Sequence, residues 1–243
     1  MTTPTVKDVL VTFFMSEKCY EDFFVNFLVH VFVAVSCLKM VLSKVAGFWI
    51  LFDVLLAQLL QLLTVLWRGR ADGLSLTSVL LQLYAFSCPI LFAVRHNFPL
   101  EAWAERLFLL IQTAAIVLLM LRYQGDTLHG VMLLLSHCAL IFLLITYAAS
   151  SLISKMQDTI LPAIILSKLI QTRANYCNEH TGQLSSPSLI LSLGGALGKS
   201  LNYWDSYVIV ESLLHTVSAC LSFALVIQMF YYRRHRTKMN KNE

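Results

Sequence analysis

Two stretches decide the fold: Gln61-Leu62-Leu63-Thr64-Val65-Leu66-Trp67-Arg68-Gly69-Arg70-Ala71-Asp72-Gly73-Leu74-Ser75-Leu76, and Gln171-Thr172-Arg173-Ala174-Asn175-Tyr176-Cys177-Asn178-Glu179-His180-Thr181-Gly182-Gln183-Leu184-Ser185. In each, a glutamine is followed fourteen residues later by a serine, in Gly-Leu-Ser or Gly-Gln-Leu-Ser. Each runs from the end of an apolar segment, through a short polar and basic turn, into a second apolar segment. The two stand 110 residues apart. A repeat of that length in an apolar chain predicts two similar helix bundles facing each other, with a pathway between them.

The composition around the repeat is that of a membrane protein. The chain has 243 residues, of which 58% are hydrophobic and 13% charged; its mean hydropathy is +0.70. Soluble domains carry about 25% charged residues. A bilayer core about 30 Å thick needs roughly 20 apolar residues per helix. Seven segments meet or approach that requirement: Val45–Leu66, Leu74–Val94, Arg106–Leu121, Leu128–Thr146, Ile153–Gln171, Leu184–Leu201 and Tyr207–Tyr232. The fifth is interrupted at its start by Lys155, Gln157 and Asp158. Phe23–Leu38 is short for a span and carries Asn26 and His30, so it reads as an interfacial or packed helix. The N-terminus lacks the apolar core and small-residue cleavage site of a signal peptide.

The fold expected is therefore all-α: a multi-pass membrane protein with seven transmembrane helices in a 3+1+3 parallel repeat. Its parts are an N-terminal lumenal segment with an interfacial helix (1–44), a first three-helix bundle (45–122), a connector helix (123–152), a second three-helix bundle (153–232) and a basic cytosolic tail (233–243). A connector span keeps the two bundles parallel about an axis along the membrane normal.

Charge placement predicts the orientation. Arg233, Arg234, Arg236, Lys238 and Lys241 form the basic tail, and same-side loops carry Arg68, Arg70, Arg122 and Arg173. Opposite loops carry Arg95, Lys155 and Lys199, diluted by Glu101, Glu105, Asp158 and Asp205. The positive-inside rule puts the C-terminus in the cytosol and the N-terminus in a lumen or outside. Juxtamembrane solvation and lipid headgroups account for the tail, so no nucleic-acid partner is expected. The six cysteines form no CxxC pair, and most lie in apolar segments, where they read as small packers. No metal site, disulfide framework, cofactor or N-glycosylation acceptor is expected.

Few polar residues lie inside the spans. Asp53 is mid-span, and an intramembrane acid reads by default as functional. Its partner could be Lys199, Lys168 or no charge at all, the last with a protonated carboxyl bound to a backbone carbonyl. Gln58 and Gln61 share one helix end and Gln171 ends another. The matched pair Gln61 and Gln171 either lines a substrate pathway or joins helix ends through amide hydrogen bonds. Pro89 and Pro162 are candidate hinges. Gly194 and Gly198, with Gly195 between, form a close-packing face. His137 and His215 read as hydrogen-bonded packers. No nucleophile elbow, phosphate loop or metalloprotease motif occurs, and no enzymatic activity is expected.

The repeat resembles the PQ-loop membrane proteins, which include the SWEET sugar transporters and the lysosomal cystine transporter. Further blocks narrow the likeness to the mannose-P-dolichol utilization defect family. These are Ser16-Glu17-Lys18-Cys19-Tyr20, Cys37-Leu38-Lys39 with Leu42-Ser43-Lys44, Gly73-Leu74-Ser75-Leu76, Asn97-Phe98-Pro99 with Trp103, Glu105 and Leu107-Phe108-Leu109, Asn175-Tyr176, His180 to Ser185, and Gly194-Gly195. They span nearly the whole chain in order. The resemblance implies an endoplasmic reticulum protein needed for lumenal use of dolichol-phosphate-mannose and dolichol-phosphate-glucose, in N-glycan precursor and GPI-anchor assembly. It implies membrane lipid, dolichol-linked sugars and lumenal glycosyltransferases as partners. Scrambling and presentation of the lipid-linked sugar are both compatible with it, and small-solute transport is the alternative from the wider group. The chain departs from the pattern in three places. Leu60 stands where the motif's proline belongs, Gln58 where a basic residue is common and Asp53 where a small one is. Met239 and Asn240 also leave Lys241 without the partner of a dilysine retrieval signal.

Overall fold

The computed structural model describes residues 7, 11, 16–21, 31–203 and 209–242. Every element among them is helical. A single turn, α1 (Glu17–Tyr20), is capped by Ser16, whose Oγ accepts from the Cys19 amide. Then come α2 (Val31–Phe52), a π-helical segment (Asp53–Ala57) and α3 (Gln58–Arg68), which form one unbroken rod. After these follow α4 (Leu76–Arg95), α5 (Ala104–Tyr123), α6 (Thr127–Tyr147), α7 (Ser150–Asp158), α8 (Ile160–Cys177), α9 (Ser186–Tyr203) and α10 (Ile209–Asn242).

Among the described residues five helical stretches are long and apolar enough to cross a membrane: Cys37–Arg68, Leu76–Arg95, Ala104–Tyr123, Thr127–Tyr147 and Ile209–Arg234. That is consistent with a multi-pass membrane protein. The outer surface agrees, because Leu128, Phe142 and Ile111 point outward, and Trp67 is 94% exposed beside the α3–α4 turn. In water such a surface would drive association; against lipid it is already solvated. On α6 only Gly130 is buried.

Several expectations need redrawing. The segment Phe23–Leu38 is not a separate helix: residues 31–38 are the first turns of α2, and 23–30 lie outside the described residues. Tyr207, the expected start of the last span, lies outside them too. The fifth span, Ile153–Gln171, is two helices that meet at Thr159. Pro162 sits in the first turn of α8, where an amide has no helical partner to lose. Pro89 does lie inside a helix, α4. The expectation of no disulfide is overturned, because Cys19 and Cys37 are joined and tether α1 to α2.

Packing repeats with the sequence. In the first half α5 lies against both α3 and α4; in the second α10 lies against both α8 and α9. Between halves α4 packs on α8, and α9 packs on α2 and the π segment. α6 rests on α4 and α5, where His137 Nε2 and Ser87 Oγ share a hydrogen bond at 2.9 Å. The glycine face of α9 permits its close approach. A Cβ on Gly194 would meet the Trp49 ring at 2.7 Å, one on Gly198 the Ala46 carbonyl oxygen at 2.9 Å, and one on Gly195 the Asp53 side chain.

Candidate functional site

The two turns of the repeat cross. α3 stops at Gly69, and the chain turns back through Gly73 into α4, whose first free amides are those of Ser75 and its neighbours. α8 stops at Asn178 and turns through Gly182 into α9. Gly73 and Gly182 have φ of +85° and +48°, and their backbones touch. A Cβ on Gly73 would lie 2.8 Å from Gly182 Cα, and one on Gly182 would overlap the Asp72 carbonyl. The Gln183 amide donates to that same carbonyl at 2.7 Å.

Gln61 and Gln171 bolt this crossing, each onto the other half's turn. Gln171 Oε1 accepts from the Ser75 amide at 2.9 Å, and its Nε2 donates to the Gly73 carbonyl at 2.7 Å. Gln61 Oε1 accepts from the Ser185 amide at 2.9 Å, and its Nε2 reaches the Gln183 carbonyl at 3.4 Å. Both glutamines are under 10% exposed. Each therefore caps a helix start that has no intrahelical partner for its amide. Of the two readings of these residues, joining of helix ends accounts for both ends of both amides, while both side chains also border the cavity described next. Two arginines reinforce the crossing. Arg68 Nη1 donates to Gln183 Oε1 at 2.7 Å, and Arg233 donates to the Leu184 carbonyl and to Ser186 Oγ.

Beneath the crossing lies a cavity of about 880 Å³, walled by both halves. Its closed end is Gln61, Gln171, Leu74 and Leu184; its far end reaches Arg106, Asp158 and Glu211, of which Asp158 and Glu211 are exposed. Between these lie Asp53, Gln58, Lys168, Lys199 and His215. Asp53 opens the π segment, and the extra residue in that turn changes which side chains face α9. Lys199 Nζ is 3.5 Å from Asp53 Oδ2, with the carboxylate side chain 15% exposed and the lysine 34%. Of the three partners open to Asp53, the structure supplies Lys199. Lys168 instead donates to the Ser218 carbonyl and to the Ser218 and Ser222 hydroxyls, at 3.3, 2.8 and 2.7 Å. Gln58 donates to Thr113 Oγ1 at 3.0 Å.

The structure thus brings together Asp53, Lys199, Gln61 and Gln171 around one cavity, with Gly73, Ser75, Gly182 and Ser185 in the crossing that closes it. Pro89 and Pro162 stand apart from its lining. Sequence reading missed the serine partners. Ser218 and Ser222 are one helical turn apart on α10, so a hydroxyl pair facing inward was available as a signal. It also missed Ser78, whose Oγ meets Ser167 Oγ at 2.9 Å across the α4–α8 contact, and Gln82, which donates to the same Ser167 hydroxyl. No group of three or more metal-ligating side chains occurs among the described residues. No family model matches the chain, and no solved structure matches it.

Proposed function

We propose that this chain is a seven-span PQ-loop-type protein of the endoplasmic reticulum membrane, and that its central cavity takes the headgroups of dolichol-phosphate-linked mannose and glucose for lumenal glycosylation. The observation that carries this reading is the cavity itself. It carries charged and polar side chains, is walled by both repeated halves, and is bordered at one end by the glutamines that bolt the repeat's turns. Polar residues inside a membrane bundle are costly unless they serve a solute or each other, and a site at the interface of two repeats is where a pathway belongs. The seven spans are α2–α3, α4, α5, α6, α7–α8, α9 and α10, with α6 as connector between two parallel three-helix bundles. The dolichol carrier is what the sequence resemblance implies, and no catalytic step is proposed for the chain. It moves or presents the donor to lumenal transferases.

The N-terminus is lumenal in this reading and the C-terminus cytosolic. The Cys19–Cys37 bond supports it, since disulfides persist in oxidising compartments such as the endoplasmic reticulum lumen. The arginine-rich end of α10 supports the opposite placement of the tail.

The test is a profile of lipid-linked oligosaccharides in cells lacking the chain. Precursors stalled before the lumenal mannose and glucose additions are expected. A normal profile, in cells with no second copy of the gene, overturns the dolichol assignment. Small-solute transport then takes its place, since a bounded polar cavity of this volume also suits a free sugar or amino acid.

A further inference from the structure

Lys168 is a cation set inside the protein without a counterion. Its three donors have three partners, and all three are neutral oxygens on α10. None of the salt bridges among the described residues includes it. Asp53, the acid whose charge reaches it, is held by Lys199, whose positive charge reaches it too. Asp53, Lys168 and Lys199 all border the cavity, and these three leave one positive charge unmatched; the other charges of the lining, Arg106, Asp158 and Glu211, stand at its far end. A cation withdrawn from water and compensated only by neutral dipoles is costly, and is relieved when an anion arrives.

The repeat argues that this charge is not needed to hold the helices. Lys168 stands 110 residues after Gln58, the spacing that separates Gln61 from Gln171. Gln58 makes the same joint in its own half, from the first helix to a hydroxyl on the third, with a neutral amide. An amide suffices there, so the ammonium in the second half adds a charge rather than a brace. Ser78, Ser167, Ser188 and Ser192 line the same cavity as Ser218 and Ser222. A tetrahedral oxyanion has acceptors for several of them at once, with the lysine as point charge.

We propose that Lys168, with Ser218 and Ser222, is a phosphate subsite, and that the cavity binds a sugar through the phosphate attached to it. Asp53 and Lys199 border the same cavity, where a carboxylate and an ammonium serve sugar hydroxyls. This rests on the cavity being the headgroup site. The chemistry at Lys168 is common to a lipid-borne phosphate and a water-soluble sugar phosphate.

The test uses the purified full chain in nanodiscs. Thermal shift and equilibrium binding are read with mannose, mannose 1-phosphate, inorganic phosphate and dolichyl-phosphate-mannose. The phosphate-bearing ligands are expected to raise Tm, and mannose is not. Preference for the dolichyl compound over mannose 1-phosphate assigns a lipid source, and equal binding a soluble one. Lys168→Gln should weaken phosphate-ligand binding by about tenfold or more, the scale of a lost charge-assisted hydrogen bond. Asp53→Asn, which frees Lys199 and adds a second unmatched charge, should tighten binding of inorganic phosphate, which carries no sugar for Asp53 to hold. Opposite signs at two residues bordering one cavity do not follow from a merely structural role. Equal binding of mannose and mannose 1-phosphate overturns the subsite, as does wild-type affinity in Lys168→Gln. If that variant does not fold, the ligand series on the unaltered chain and the sign of Asp53→Asn decide. In cells, a stalled oligosaccharide profile that Lys168→Gln fully corrects removes the subsite and leaves the dolichol reading standing. A normal profile with phosphate binding intact removes the dolichol reading and leaves the subsite.

Discussion

Gly182 and Gly73 combine a positive φ with close approach to backbone. An L-residue at φ +48° or +85° is strained by about 1–2 kcal/mol. A Cβ at either glycine also meets backbone of the other turn, which has no rotamer to yield. Gly69 separates the two effects, because its φ is +60° but nothing lies within 4 Å of an added Cβ. Gly69→Ala should therefore cost only about 1 kcal/mol. Gly182→Ala should cost about 3 kcal/mol or more, because the two turns must also part. Tryptophan fluorescence during thermal unfolding in nanodiscs measures both, and equal losses would mean that the turns do not touch. The sequence made these glycines conspicuous through their matched positions, but not their contact, which joins residues more than a hundred apart. Asp53 was legible as an anomaly because a carboxylate in an apolar run is rare. Its setting in a π segment was not, since Asp53-Val54-Leu55-Leu56-Ala57 carries no proline or glycine to mark the extra residue. Cys37 sits in an apolar run and Cys19 in a charged one, and they share no paired motif, so nothing in the sequence signalled the bond that joins them.

At the scale of elements, the two glutamine bolts act on one joint. Gln61→Leu would leave the Ser185 amide and the Gln183 carbonyl without these partners. Gln171→Leu would do the same to the Ser75 amide and the Gly73 carbonyl. Each change should cost about 1–3 kcal/mol, the penalty for stranding buried polar groups. The Gln61 variant should be the milder, since one of its bonds is already long at 3.4 Å. Once either bolt is lost the turns can separate, so the second loss should cost less than the first. A double-mutant cycle by chemical denaturation is expected to show a coupling of about 0.5–3 kcal/mol between residues that do not bond each other. Strict additivity would mean that the two ends of the crossing are independent. The α7–α8 break follows the same logic of local cause. Lys155, Gln157 and Asp158 mark a polar interruption in the sequence, and the helix gives way at Thr159, immediately after them.

For the whole molecule the question is how many times the chain crosses the membrane. Length and apolarity pick out five stretches and omit α8 and α9, which have 18 residues each and carry Lys168, Arg173 and Lys199. The crossing argues for seven. The α8–α9 turn is hydrogen-bonded to the α3–α4 turn, so both lie at one end of the bundle. The α6–α7 connection follows α6 to the other end, so in the proposed seven-span reading α8 travels the depth to reach the crossing and α9 travels it back. At 1.5 Å per residue, 18 residues rise about 27 Å, close to a bilayer core. Lys168 and Lys199 border the cavity rather than lipid, and the exposed Arg173 lies near the C-terminal end of α8. Five and seven crossings both put the termini on opposite sides, so terminal reporters cannot separate them. The α8–α9 turn can, being cytosolic with seven and lumenal with five. Glu179 in that turn and Glu101 between α4 and α5 are both exposed. On a background with the free cysteines replaced by alanine, Glu179→Cys and Glu101→Cys are introduced singly. In sealed microsomes with the cytosolic face outward, a membrane-impermeant maleimide should label Glu179→Cys directly. It should reach Glu101→Cys only after permeabilisation. Protection of both sites until the membrane is opened would mean that α8 and α9 do not cross, and the parallel repeat would fall with them.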